Sequence, residues 1–272
     1  MLKQRIITAF ILLFLFLAVL FWLPAQGWFV VVGLMVLQGT WEWSKLAKMR
    51  GMAAGLYLAT TLMLFAAMLA IYFNVPPQPR NAMQLSIYGV SAAFWFVLVP
   101  AWLIAGWKVH SPWLMALVGW GVLLPLGLAL LDLRVENPQP WWLLGVMSLV
   151  WAADISAYFA GRRFGKHKLA PSISPGKTWE GVAGAMLGVT LYVVAVMLLS
   201  GMTQRYSLLL FAVVGVALSV VGDLFESAIK RQAGVKDSGT LLPGHGGLLD
   251  RIDALTSTLP LAALALILMK AA

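Results

Sequence analysis

The sequence contains no cysteine and few charged residues for its length. Cysteine is absent from all 272 residues, and Asp, Glu, Lys and Arg together make up 11% of the chain. The absence of cysteine excludes disulfide bonds, thiolate catalysis and zinc sites with cysteine ligands. The charged fraction is about half of that in an average soluble domain, and 61% of the residues are hydrophobic. The composition therefore favours an integral membrane protein.

Long apolar runs recur along the whole chain. A transmembrane helix needs about 20 mainly apolar residues to cross about 30 Å of hydrocarbon. Such windows lie near residues 6–24, 28–46, 52–74, 84–106, 112–131, 141–161, 179–200, 206–229 and 253–270. The first run lacks a signal-peptide cleavage site, so we expect it to be retained. The sequence predicts an all-α, polytopic integral membrane protein of about nine transmembrane helices.

No repeat, heptad or low-complexity segment divides the chain, and the linkers between apolar runs are short. We therefore expect a single integral membrane domain over residues 1–272. Within it, an N-terminal helical membrane region, 1–140, precedes the catalytic helices of 141–272. The second part carries two polar loops, 162–178 and 230–252.

The net charge of +9 would also fit a nucleic-acid-binding protein. The positions of the basic residues distinguish such a protein from a membrane protein whose charge reflects its topology. With nine spans and a cytoplasmic N-terminus, 15 of the 19 lysines and arginines fall on cytoplasmic loops. The four on the other side are Arg80, Arg134, Arg205 and Lys270. This asymmetry orients helical membrane proteins. We therefore expect no nucleic acid as partner, both polar loops on the cytoplasmic side, and the C-terminus on the opposite side.

Acidic residues concentrate in the second half of the chain, where seven of the ten lie between residues 154 and 253. Carboxylates near hydrocarbon are costly, and membrane helices retain them chiefly for function. Asp223 and Glu226 share one helical face and repel each other unless a cation lies between them or one is protonated. A hard divalent metal such as Mg²⁺ would remove this repulsion. Asp154 belongs to the same site or is neutralised by a basic residue of a neighbouring helix.

The segment SAIKRQAGVKDSGTLLPGHGGLLDRID, residues 227–253, combines glycines with charges of both signs. Its glycines let backbone N–H groups face a ligand. Four basic side chains offer donors to phosphate oxygens: Lys230, Arg231, Lys236 and Arg251. A solvated cytoplasmic loop would explain the basic residues alone, but not the HGG sequence or the three aspartates Asp237, Asp250 and Asp253. The mixture suits a metal-bound polyphosphate.

The other polar loop, GRRFGKHKLAPSISPGKTWEG, precedes a helix that we expect to begin near Trp179. Ser172, Ser174, Lys177 and Thr178 are gathered just before this helix, and a helix N-terminus attracts anions. The PGKT sequence resembles the end of a phosphate-binding P-loop, but the earlier glycine and the preceding strand are missing. A P-loop is therefore rejected.

The run S-A-I-K-R-x4-K-D-S-G-x2-L-P-G-H-G-G-L-L-D-R-I-D, from Ser227 to Asp253, resembles the signature of phosphatidate cytidylyltransferases, the CDP-diacylglycerol synthases. The sequence FGKHKLAPSISPGKTWEG, residues 164–181, resembles a second block of that family. The resemblance covers roughly the last 120 residues. One departure is Ile155 and Ser156 after Asp154, where bacterial members usually carry a small polar residue and then glycine.

The resemblance implies that the lipid phosphate of phosphatidate attacks the α-phosphorus of CTP, giving CDP-diacylglycerol and pyrophosphate. It implies a bacterial cytoplasmic (inner) membrane, an active site that faces the cytoplasm, and membrane lipids as surroundings. The implied cofactor is Mg²⁺, and a second cation and a homodimer are left open. The implied metal carboxylates are Asp223 and Asp250, with Glu226 and Asp253 in support.

Further roles follow from the same resemblance. The residues assigned to catalysis besides the two metal aspartates are Lys230, Arg231, Lys236, Asp237 and His245. The residues assigned to substrate binding are Ser174, Lys177, Thr178, Arg251, Gly246 and Gly247. His245 is either a catalytic acid or a structural donor in a tight turn. The lipid phosphate is already mostly dianionic at neutral pH, so charge neutralisation and alignment are the main requirements.

Three other functions fit the sequence less well. A transporter would place its polar residues near the midplane in two repeated halves, whereas here they crowd one face of one half. A CDP-alcohol phosphotransferase would need a D-x2-D-G-x2-A-R block, which the sequence lacks. A purely structural membrane protein would have little use for the polar loop of 230–252.

Overall fold

A computed structural model describes residues 2–135, 140–201, 207–241, 244 and 246–271, and most of them are helical. The helices are α1 Leu2–Trp22, α2 Ala25–Leu46, α3 Met52–Asn74, α4 Pro77–Ala93, α5 Val99–Ala105, α6 Pro112–Val135, α7 Trp141–Phe164, α8 Trp179–Ser200, α9 Ser207–Ala233 and α10 Leu249–Ala271. A π-helical turn, Phe94–Leu98, joins α4 to α5. The described chain therefore forms nine continuous helical rods, which confirms the all-α expectation apart from one small hairpin.

Seven helices of the described chain are long and apolar enough to cross a membrane. They are Met52–Asn74, Pro77–Ala105, Pro112–Val135, Trp141–Phe164, Trp179–Ser200, Ser207–Ala233 and Leu249–Met269. The prediction of a polytopic membrane protein is confirmed. The first two predicted spans do not meet the same criteria: α1 contributes a shorter apolar stretch, Leu13–Trp22, and α2 does not qualify.

Two of these helices lie at the centre of the bundle. The apolar windows of α6 and α10 are 67% and 61% buried, the highest shares among the seven. Helix α10 packs against α9, α6, α4, α7 and α2, which surround it. Apolar side chains on the outer helices are exposed, among them Leu199 at 90% and Ile104 at 88%. This pattern is expected where lipid replaces water around the bundle.

The hairpin occupies the predicted loop of 162–178. Its strands are β1 Lys168–Ala170 and β2 Ser174–Thr178, which pair antiparallel with Lys168 opposite Thr178. Thr178 ends β2 and caps α8, because its Oγ1 accepts a hydrogen bond from the Gly181 N–H at 3.1 Å. The hairpin therefore runs directly into α8 and holds its polar residues close to the bundle.

Close helix packing at glycines brings acidic positions together. A Cβ added at Gly222 of α9 would lie 2.8 Å from the carbonyl oxygen of Asp253 on α10. Helices α9 and α10 therefore touch through their backbones next to Asp223. On the other side, a Cβ at Gly188 of α8 would overlap the hydroxyl of Ser156 on α7. Ser156 therefore packs against α8, while its neighbour Ile155 is 58% exposed.

An aromatic cluster fixes the other face of α9. The ring of Phe225 is met edge-on by Phe94, Trp95 and Trp102, at centroid distances of 5.7, 5.6 and 5.5 Å. These three rings come from the rod formed by α4, the π-helical turn and α5. Perpendicular aromatic pairs at such distances are favourable. The N-terminal region thus contacts α9 on the face opposite its acidic residues.

Candidate active site

A polar pocket of about 370 Å³ lies where α7, α9 and the start of α10 meet. Its lining residues are Asp154, Asp223, Ser227, Lys230, Arg231, Lys236, Asp237, Asp250, Arg251, Asp253 and Ala254. Five are aspartates and four are basic, so the pocket combines both charges that a metal-bound polyphosphate requires. Eight of the predicted site residues are brought together here, and Asp154 joins them from α7.

Lys230 lies at the centre of a buried charge cluster. Its Nζ is 2.8 Å from Glu226 Oε2 and 2.6 Å from Asp250 Oδ1. The three side chains are 10%, 6% and 5% exposed. Glu226 precedes Lys230 by one turn of α9, so helical geometry forms the first pair, and the second joins α9 to α10. The ammonium group expected to bind phosphate is therefore held by two carboxylates of the protein.

Asp250 has both carboxylate oxygens engaged. Its Oδ1 accepts from Lys230, and its Oδ2 accepts from the Ser238 N–H at 2.9 Å, the Ser238 hydroxyl at 3.0 Å and the Gly247 N–H at 2.8 Å. Gly246 has a φ of +85°, a conformation that favours glycine. The turn thus presents its N–H groups to the protein's own carboxylate. Asp250, in the first turn of α10, therefore holds Ser238 and Gly247 of the polar loop against this helix.

Glu42 of α2 is part of this arrangement, although it belongs to neither of the two sequence blocks that indicated the site. It is 1% exposed. Its Oε1 accepts from the Leu248 N–H at 2.8 Å and from Gln38 Nε2 at 2.9 Å, and its Oε2 accepts from the Ser238 hydroxyl at 2.8 Å and the Leu249 N–H at 2.9 Å. A carboxylate within an apolar run was the available signal. Three of its four partners lie about 200 residues away and could not be identified from sequence.

Asp223 and Lys177 join the hairpin to the pocket. Lys177 Nζ lies 2.6 Å from Asp223 Oδ2, and the two side chains are 23% and 35% exposed. The Ser227 hydroxyl donates weakly to Asp223 Oδ1 at 3.3 Å. Arg231 Nε donates to the Ile173 carbonyl oxygen, also at 3.3 Å. The hairpin therefore contacts α9, which carries the start of the second polar loop.

The remaining predicted residues occupy different positions. Lys236, Asp237 and Arg251 are exposed where they line the pocket. Ser174 and Thr178 are not among its lining residues, and the Thr178 hydroxyl caps α8. His245 lies outside the described residues.

The donor chemistry of the site fits Mg²⁺. Among the described residues, no three acidic or histidine side chains form a ready-made metal cluster. Glu226 Oε1 is buried without a hydrogen-bond partner, and aspartates of α7, α9 and α10 face the pocket. Magnesium in nucleotide sites is usually held by one or two carboxylates together with substrate phosphates and water. The residues therefore fit a metal that binds together with a polyphosphate.

Comparison with known proteins extends over nearly the whole chain. Residues 3–269 match the cytidylyltransferase family. The phosphatidate cytidylyltransferase of Pseudomonas aeruginosa is 40% identical over 267 residues, which cover 97% of this chain and 96% of the relative. That of Haemophilus influenzae is 36% identical over 282 residues, with 96% of each chain covered. The similarity thus includes the N-terminal half of the chain and is not limited to the two segments, 164–181 and 227–253, in which the family resemblance was recognised.

Proposed function

The chain belongs to the cytidylyltransferase family and acts as a phosphatidate cytidylyltransferase, and we propose that the reaction takes place in the pocket between α7, α9 and α10. The observation that supports this placement is the meeting of five aspartates and four basic residues in one pocket. An oxygen of the lipid phosphate forms a bond to the α-phosphorus of CTP. The bond from that phosphorus to the β-phosphate oxygen breaks, and pyrophosphate leaves.

The proposed metal carboxylates are Asp223 and Asp250, with Glu226 and Asp253 in support. Asp223 is the more accessible of the two, because its side chain is 35% exposed. The Oδ2 atom of Asp250 accepts hydrogen bonds from Ser238 and Gly247 of the loop, so only Oδ1 can bind a metal ion or another partner. Bound Mg²⁺ would supply charge neutralisation and alignment of the phosphates.

The basic residues are proposed to hold the phosphates. Arg231, Lys236 and Arg251 are exposed and line the pocket, which suits contact with an entering nucleotide. Lys177 and Lys230 each lie 2.6 Å from one proposed metal carboxylate. We propose that these two lysines turn toward substrate phosphates when the carboxylates bind the cation.

The orientation of the pocket is proposed from charge and substrate chemistry. CTP is water-soluble and phosphatidate resides in the bilayer, so the site must be open to the cytosol and to lipid. The pocket lies at the helix ends that carry the two basic loops, which the positive-inside rule assigns to the cytoplasm. The proposed location is the bacterial cytoplasmic membrane, with the pocket on its inner side.

The stereochemical course at the α-phosphorus tests the direct reaction. One in-line displacement by phosphatidate inverts the configuration, whereas a covalent cytidylyl-histidine at His245 would require two displacements and give retention. We expect inversion, because the lipid phosphate is already charged and needs no activating base. The measurement is turnover of CTP chirally labelled with sulfur at the α-phosphorus. Retention, or exchange of pyrophosphate into CTP without phosphatidate, would contradict direct attack.

A further inference from the structure

The surroundings of Glu42 are unusual for a carboxylate in a membrane protein. It is 1% exposed, and no lysine or arginine of the described chain forms a salt bridge with it. Four N–H or O–H donors lie within 2.9 Å of its oxygens. The first turn of α10 contributes its helix dipole, which favours a negative charge there. The buried carboxylate therefore accepts three hydrogen bonds from the polar loop and the start of α10, and one from Gln38 of its own helix.

Three of the four donors belong to the polar loop and to the start of α10: the Ser238 hydroxyl and the Leu248 and Leu249 N–H groups. The described residues of the same loop also supply Ser238 and Gly247 as donors to Asp250. The Ser238 hydroxyl has one hydrogen and lies 2.8 Å from Glu42 and 3.0 Å from Asp250, so it donates to one at a time. Glu42 thus contacts the residues that hold Asp250, and Asp250 holds Lys230.

The polar loop packs closely around this carboxylate. A Cβ added at Gly239 would lie 3.0 Å from Glu42 Oε1, and its three nearest atoms would all belong to Glu42. A Cβ added at Gly247 would overlap both Glu42 Oε2 and the Ser238 hydroxyl. The backbone at Gly239 and Gly247 therefore lies so close to Glu42 that a residue with a side chain would not fit at either position.

We infer, on the basis of the active site proposed above, that Glu42 is a positioning residue for cytidylyl transfer. Its carboxylate fixes Ser238 and the Leu248 and Leu249 N–H groups at the start of α10 from the N-terminal half of the chain. Through Ser238 and the start of α10, it sets the positions of Asp250 and Lys230 at the pocket. Glu42 does not line the pocket itself, so its effect on the reaction passes through these residues.

The first test replaces Glu42 in the purified full-length protein. Glu42→Gln keeps the size but turns an NH₂ group toward N–H donors, and Glu42→Ala removes all four contacts. We expect kcat per folded molecule to fall at least about tenfold in Glu42→Gln, the effect of one lost hydrogen bond to a charged group, and further in Glu42→Ala. Lys45→Gln, exposed on the same helix, is the matched control and should keep the wild-type kcat.

The second test uses Gly239→Ala, which disturbs Glu42 from the side of the polar loop. The added methyl group should lower kcat in the wild-type background. It should have no further effect in Glu42→Ala, because the atoms that it meets are gone. Such non-additivity marks a direct interaction between the two positions. Equal effects of Gly239→Ala in both backgrounds would overturn the inference.

The third test separates local loosening from general destabilisation. The chain has no cysteine, so single cysteines can be placed at Leu249 and Leu46, which are 2% and 3% exposed. In Glu42→Gln, a soluble thiol reagent should modify the cysteine at position 249 faster, with no change at position 46. Equal acceleration at both positions, or a wild-type kcat in Glu42→Gln, would overturn the inference. A wild-type protein that forms no CDP-lipid would instead overturn the proposed function.

Discussion

Asp223 and Asp250 are both proposed to bind metal, but their surroundings differ at the scale of single residues. Asp223 is partly exposed and is held by one lysine and a weak serine contact. The side chain of Asp250 is 5% exposed, accepts hydrogen bonds from Lys230 and from the Ser238 and Gly247 N–H groups, and shares the Ser238 hydroxyl with Glu42. The same substitution should therefore have different consequences at the two positions.

Asp223→Asn should abolish most turnover and leave the fold intact. The amide keeps the shape of the side chain but loses the charge that attracts Mg²⁺ and Lys177. We expect turnover to fall by about 10²–10³-fold, typical for loss of one electrostatic group in an active site. The measurement is CDP-lipid formation at saturating Mg²⁺, and a variant with a tenth of wild-type activity would exclude Asp223 as a ligand. Lys108→Gln, exposed and outside the pocket, should be nearly silent.

Asp250→Asn should lose both activity and stability. The variant leaves Lys230 with Glu226 as its remaining partner, and it turns an amide NH₂ toward the Ser238 or Gly247 N–H groups. Removing one partner of a buried ion pair costs about 3–5 kcal/mol. Denaturant unfolding in detergent, measured beside turnover, should therefore show a clear loss in Asp250→Asn and little change in Asp223→Asn. Equal stability of the two variants would contradict the role of Asp250 in closing the loop.

Sequence patterns identified many of the residues that line the pocket, but not which of their side chains form ion pairs and hydrogen bonds with each other. The family resemblance assigned Asp223, Asp250 and their basic neighbours to one site, and the structure brings them together. The pairing of Lys230 with two carboxylates and the contacts of Glu42 depend on distant elements. Such contacts arise from helix packing, which local spacing does not determine.

At the scale of elements, apolar windows predicted the helices well and the hairpin not at all. Span length is set by bilayer thickness, so hydrophobicity alone locates the rods. Helix α4 begins at Pro77, before the predicted window, because proline is accepted in the first helical turn. The strand Ser174–Thr178 contains proline and glycine and carries no strand pattern. It is held by pairing with β1 and by its contacts to α8 and α9.

The contact between α7 and α8 gives a prediction about helix packing. Gly188→Ala should destabilise the protein by about 1–3 kcal/mol, as overpacking usually does, because its Cβ would overlap Ser156. Ser156→Gly should restore most of this loss in the double variant. Gly145→Ala on α7, with no atom within 4 Å of the added Cβ, is the control and should be neutral or slightly stabilising. The free energy of unfolding in a denaturing detergent should be compared for the wild type, Gly188→Ala, the double variant and Gly145→Ala. A Gly188→Ala variant as stable as the wild type would refute the close contact.

At the scale of the whole molecule, the two halves of the chain depend on each other. The second half carries the polar pocket, while the first half contributes Glu42, which binds the start of α10, and aromatic rings that pack on α9. The relatives are similar over nearly their full length, which agrees with a site that needs both halves. We therefore propose that residues 1–140 and 141–272 belong to one integral membrane domain.

The sidedness of the pocket is the same whether α1 and α2 both cross the membrane or neither of them does. These helices enter as a pair, so removing both from the count of spans leaves every later loop on the same side. The hairpin and the polar loop of 230–252 should therefore face the cytoplasm, and the segment between α3 and α4 should face the opposite side. Exposed positions for labelling are Ser172, Thr240 and Gln78. Ser238 is unsuitable, because it is buried between two carboxylates.

Single-cysteine labelling of intact cells tests this topology. A membrane-impermeant thiol reagent should modify a cysteine at Gln78 in sealed spheroplasts, and cysteines at Ser172 and Thr240 only after permeabilisation. The physical reason is the strong excess of Lys and Arg near the two polar loops, which resists transfer across the membrane. Each variant should retain CDP-lipid synthesis, which shows that the labelled protein is folded. Labelling of Thr240→Cys from outside would refute the topology, because cytosolic CTP could not then reach the acidic pocket.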